Sequence, residues 1–135
     1  MAVYLADTWY VIALFDPFDN HHLRARRIDR FTSRDLIATH DGIFSEMLAY
    51  FSAEGGLVRK RIVEFVRARQ QDPAWHVARA SDLFNAALSL YSQRLDKEYS
   101  LVDCMSMTLM RERGITHVLT NDHHFRQEGF TVVNE

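Results

Sequence analysis

Asp7, Glu46, Asp103 and Asp122 are the residues whose types and settings best suit them to chemistry. Each stands at or just beyond an apolar stretch or within a helix-like one, in the segments VYLADT, IFSEML, SLVDC and VLTNDHHF, which together span almost the whole chain. A fold that gathered them would form a carboxylate cage for divalent metal. Magnesium takes six oxygen ligands in octahedral geometry and keeps several waters while accepting one or two carboxylates, so four acids could place one or two ions. Such an ion lowers the pKa of a water it carries, screens phosphate charge and, when paired, stabilises a leaving oxygen. Phosphodiester hydrolysis needs all of these effects, so the set points to a metal-dependent nuclease.

Every member of the set also has an ordinary reading. Ser100 to Asp103 fits a capping box, with Asp103 at the third helical position. Asp7 suits an N-cap, Asp122 a turn, and Glu46 an exposed helix face. Only the combination carries the signal. Gathering the acids also costs energy, because two carboxylates about 4 Å apart repel by roughly 4 kcal/mol at an effective dielectric near 20.

Alternating strands and helices must position these acids. Val3 to Ala6 reads as a buried strand leading into a helix that Pro17 limits. A helix from about His21 to Phe31 follows, then a strand at Leu36 to Thr39. Asp41-Gly42 opens a helix with Ile43, Met47 and Tyr50 at helical spacing, and Gly55-Gly56 marks its end. Leu57 to Gln70 is amphipathic, Trp75 to Ala78 is a short strand, and Ser81 resembles the N-cap of the next helix. Ser100 begins a helix that ends at Gly114, and two strands, Val118 to Thr120 and Phe130 to Val133, complete the chain. This alternation implies a mostly parallel sheet covered on both faces, since parallel neighbours need crossover connections. Ligands of such sheets collect beyond the carboxyl ends of the strands, where Asp7 and Asp122 follow strands directly and Glu46 and Asp103 lie in the first turns of helices.

The chain has 135 residues, 47% of them apolar, enough for one domain over 1–135 with a core that needs no staples. Its single cysteine, Cys104, has no internal disulfide partner and no evident base, and reads as buried and inert. No apolar stretch approaches the roughly 20 residues of a membrane span, and the expectation is a soluble cytoplasmic protein. The net charge of −2 hides two basic runs, Arg24, Arg26, Arg27, Arg30 and Arg34 in one and Arg59, Lys60, Arg61, Arg67 and Arg69 in the other. With the four acids neutralised by metal, the remaining surface is effectively basic, as phosphate binding favours. The plainer reading is two solvated helix faces, with the first run the better candidate for RNA contact.

Other residues are weaker candidates. His123-His124 and His21-His22 suggest transition-metal sites, but adjacent histidines on a strand point to opposite faces and no compact Cys/His set completes a zinc site. Asp41 and Asp96 could enter the acidic site but better suit capping and surface roles, and Thr120 and Ser100 could contact phosphate or water but better suit structural ones. Trp75 and the other aromatics read first as core, and second as platforms for unpaired bases.

The four segments, in this order, resemble the PIN-domain nucleases, in particular the VapC-like ribonuclease toxins of toxin-antitoxin pairs. The most specific portion is DKEYSLVDC at 96–104, followed by LTNDHHF at 119–125 and Gly129-Phe130. The resemblance implies a three-layer α/β/α sandwich with Asp7, Glu46, Asp103 and Asp122 as the acidic metal site. It also implies Mg2+- or Mn2+-dependent RNA cleavage, a homodimer and inhibition by a cognate antitoxin. Trp9 departs from the pattern, since a small polar residue is expected after Asp7-Thr8. Two alternatives keep the fold: a PIN-type RNA-processing nuclease, and a non-catalytic RNA- or protein-binding module.

Overall fold

In the computed structural model, which describes residues 1–133, the chain forms one five-stranded parallel sheet in the order β3-β2-β1-β4-β5. The strands are β1 (Val3–Ala6), β2 (Leu36–His40), β3 (Trp75–Ala78), β4 (His117–Leu119) and β5 (Thr131–Val132). β1 lies at the centre, with Leu5 beside Ala38 of β2 and Val118 of β4. Its carboxyl half is fully buried, as expected of a strand covered on both faces.

Seven helices complete a three-layer α/β/α sandwich. They are α1 (Thr8–Phe15), α2 (His22–Phe31), α3 (Asp41–Tyr50), α4 (Gly56–Gln71), α5 (Ala80–Gln93), α6 (Leu101–Arg113) and α7 (His124–Gln127). α1 packs on α2 and α3, and α3 on α4, while α5 packs chiefly on α6. Right-handed crossovers explain the division. Two successive connections step from β1 to β2 to β3, and the next returns past β1 to β4, so α5 and α6 cover the opposite face. That reversal makes the carboxyl ends of β1 and β4 a topological switch point, where a crevice opens.

Local chemistry explains the element ends. α1 stops at Phe15 because Asp16, which precedes Pro17, is extended. α6 starts with a complete capping box: Asp103 N–H donates to Ser100 Oγ, and Ser100 N–H to Asp103 Oδ2, both at 3.0 Å. It ends on Gly114 in the left-handed region at φ 66°.

Three expectations need correction. α3 ends at Tyr50, and Gly55, at φ 95°, caps the start of α4 instead of closing α3. Ser81 is not the N-cap of α5; the helix begins at Ala80, whose N–H donates to Asp41 Oδ1 at 2.8 Å, so a carboxylate from α3 serves that end. His123-His124 is not on a strand but at the start of α7, a short helix between β4 and β5 that the apolar pattern did not reveal. No helix among the described residues is long and apolar enough to cross a membrane.

Candidate active site

At the switch point, Asp7, Glu46, Asp103 and Asp122 line one open cleft of about 700 Å³. Thr8, Trp9, Ser100, Asn121, His123, His124 and Gln127 complete its wall. Asp7 arrives from the end of β1, Asp122 from the turn after β4, Glu46 from the second turn of α3 and Asp103 from the first turn of α6. Helices α1, α3 and α6 follow strands or run back toward them, so their amino ends meet this edge of the sheet. The partial positive charge there offsets part of the carboxylate repulsion.

Two threonines hold two of the acids. Buried Thr120 donates from Oγ1 to Asp7 Oδ2 at 2.7 Å, and accepts from the Asp122 N–H at 3.1 Å. Thr8 donates to Glu46 Oε1 at 2.6 Å. The Asp7 side chain makes no capping bond to α1, although Asp7 occupies the N-cap position. It points instead to Thr120 and the cleft. Asp103, by contrast, caps its helix and lines the cleft at once, its Oδ2 accepting from the Ser100 N–H and facing His124.

Burial dominates the electrostatics of Asp7. Its carboxyl is pushed up to about 7 by removal from water, and the charges of Asp103 and Asp122 push the same way, against the Thr120 hydrogen bond. Once ionised, a carboxylate so placed calls for a cation. The donor chemistry fits one: single ligand atoms of Asp103, Asp122 and His124 all lie within 4.8 Å of one another. His124 Nδ1 is 3.2 Å from Asp122 Oδ1 and 3.5 Å from Asp103 Oδ2, yet forms no hydrogen bond of proper geometry. This buried, unpartnered nitrogen faces two carboxylates, an arrangement that could hold a shared cation.

His124 did not emerge as a site residue from sequence because the strand assignment turned it away. The available signal was Asp122 itself. Its Oδ1 accepts the His124 N–H at 2.9 Å, a local turn that returns the imidazole to the cleft. Tyr99 packs against the ring in an edge contact, at 5.3 Å between centroids and 62° between planes. The Tyr99 hydroxyl donates to Glu128, which Arg94 and Arg111 also bind at 2.9 and 2.8 Å. Arg94 chiefly, then Arg111 and Tyr99, hold this largely buried carboxyl down near 2 despite its burial.

The remaining candidates divide by location. Arg24 of the first basic run reaches the cleft rim, where it donates to Asn121 Oδ1 at 3.0 Å and lies over the Trp9 ring. The second run is on α4, where Arg69 stacks over Phe65 and Trp75 and Arg59 donates to the Ser52 carbonyl. Asp41 serves α5, and Asp96 pairs with Lys97 at 3.2 Å. Cys104 is buried, and its thiol pKa is raised by that burial.

The chain belongs to the PIN-domain family, which it matches over residues 4–130. Its fold is similar to that of VapC20 from Mycobacterium tuberculosis, a Sarcin-Ricin loop cleaving toxin, at a TM-score of 0.85 and 24% identity, covering 99% of this chain and 100% of that one. A chain of FitAcB from Neisseria gonorrhoeae is also similar, at a TM-score of 0.63 and 17% identity, covering 98% and 96% respectively. No curated protein matches the chain in sequence.

Proposed function

We propose that this chain is a metal-dependent endoribonuclease acting as the toxin of a toxin-antitoxin pair, with residues 1–135 forming one cytoplasmic nuclease domain. The observation that carries this reading is the meeting of Asp7, Glu46, Asp103 and Asp122 in one cleft at the switch point of a PIN fold. The fold similarity to VapC20, a Sarcin-Ricin loop cleaving toxin, favours RNA over other phosphodiesters and toxin over processing enzyme. A homodimer and a cognate antitoxin belong to the same proposal.

Asp103 and Asp122, joined by His124, would hold the ion most directly, with Asp7 and Glu46 completing the carboxylate set. Mg2+ suits the oxygen donors, and the imidazole extends the range to Mn2+. When bound, such an ion supplies charge neutralisation for the phosphate and an activated water. The chain's own contribution is to aim the donors. Thr120 fixes one oxygen of Asp7, Thr8 fixes one of Glu46, and the Ser100 cap fixes Asp103 Oδ2, the oxygen that also faces His124 Nδ1.

Cleavage of an RNA panel with and without magnesium, comparing the native chain with Asp103→Asn, tests the chemistry. Metal-dependent cleavage that falls by more than about a hundredfold in the variant is expected. Expression in a host then tests the biology: growth arrest relieved by a neighbouring small protein separates a toxin from a processing enzyme. Undiminished cleavage by both Asp7→Asn and Asp103→Asn would overturn the site.

A further inference from the structure

Trp9 occupies the position where the family pattern leads one to expect a small polar residue, and its indole lines the same cleft as the four acids. Trp9 is partly buried and packs against the core. The Arg24 guanidinium lies 4.7 Å from the ring centroid, and the His21 ring stands 5.5 Å away at 57°. Arg24 is tethered in turn to Asn121, next to Asp122. An aromatic face, a guanidinium plane and an amide therefore border the acidic site on one side.

We propose that the Trp9–Arg24 pair is a stacking platform for an unpaired RNA base beside the scissile phosphate. This inference rests on the nuclease reading above and adds the form of substrate the cleft takes. A base stacks on aromatic and guanidinium planes whatever its identity, since every base has a π-face. The Arg24 charge adds attraction for the backbone on a rim otherwise dominated by carboxylates. Trp9 Nε1 and Arg24 Nε are both buried without hydrogen-bond partners. Stacking and the Arg24–Asn121 bond thus hold the pair beside the acids. A stably paired duplex keeps its bases stacked on each other and gives the platform nothing to grip, so the cleft selects single-stranded or loop RNA.

The chain has two tryptophans, so Trp75→Phe leaves Trp9 as the sole indole reporter. Short single-stranded RNAs would be titrated in calcium, whose looser coordination neutralises the acids without favouring hydrolysis. Trp9 emission should be quenched in step with the rise in anisotropy of a labelled RNA. In the otherwise native protein, Trp9→Leu keeps an apolar side chain against the core but removes the π-face, and should weaken single-stranded binding by about five- to a hundredfold. Mn2+-induced thermal stabilisation should persist in that variant, as evidence of a folded site. RNA binding with unchanged Trp9 emission and undiminished affinity in Trp9→Leu would overturn the platform while leaving the nuclease reading intact. Failure of the native chain both to bind and to cleave any RNA would remove the reading and the platform together.

Discussion

The Thr120 hydroxyl donates to the Asp7 carboxylate at 2.7 Å across 113 positions of sequence. The same oxygen accepts the Asp122 backbone N–H, so one buried threonine joins two of the four acids and sews β1 to the turn after β4. In the sequence Thr120 reads as a structural residue at a strand end or a contact to phosphate or water; its bond to Asp7 is not legible there.

Thr120→Val keeps the shape and removes both bonds. A buried hydrogen bond to a charged group is worth about 1.5–3 kcal/mol, so urea unfolding should show a loss of this order. The Asp7 carboxyl should rise further, and metal affinity at neutral pH should fall. Unchanged stability and affinity would mean that the bond has no consequence.

Asp7 gives the metal-free protein a definite pH dependence. Its folded pKa of about 7 lies above the ordinary 3.8, so the native state binds the proton more tightly than the unfolded chain does. Its contribution to stability is full below pH 3.8 and is lost as pH rises through 7. The Asp7 share of the stability in EDTA should therefore decline between about pH 4 and 7, so the melting temperature of the native chain minus that of Asp7→Asn should fall across that window and level off above it, leaving the variant more stable than the native chain at pH 8. Millimolar magnesium or manganese should restore the native chain at pH 8, since a ligand bound only by the folded state stabilises it. Identical pH profiles for the two proteins would contradict the assignment.

His40 works in the opposite range. Buried at the end of β2 with Nε2 3.0 Å from Ser106 Oγ, its imidazole is pushed down to about 4, chiefly by burial. The folded pKa is depressed below the ordinary 6.5, so the histidine is neutral in the native state and must charge on unfolding. Stability it contributes is present above pH 6.5 and lost as pH falls toward 4. His40→Gln should cost about 1–3 kcal/mol at pH 7.5 through repacking, yet lose less on moving from pH 7 to 5. Denaturant midpoints at the two pH values decide this directly.

His124→Ala tests the donor that the sequence pattern obscured. Calorimetric titration should show manganese binding weakened by about tenfold or more, with magnesium affected less because imidazole is a softer donor than oxygen. Equal losses for both ions would assign the ring to packing between Tyr99 and the acids.

The sequence by itself determined much of this protein. Apolar runs bounded by Asp, Gly and Pro set the alternating strands and helices, because burial periodicity and turn chemistry are local properties. Trp75 to Ala78 lies where its pattern placed it, and the capping box at Ser100 and Asp103 follows from four consecutive residues. The common edge for four distant acids followed from the parallel-sheet rule.

What only the tertiary structure decided lies where partners are remote. Asp41 caps α5 from another layer, so Ser81, locally the better cap, is not used. The short α7 has too few residues to print a period, and it swings His124 beside Asp103 and Asp122. Asp7 departs from ordinary carboxylate behaviour because of its burial and the charges of Asp103 and Asp122, which are remote in sequence. The four acids were readable as a set, but their separate environments were not: hydrogen bonds and desolvation depend on which distant atoms the fold brings within a few ångströms.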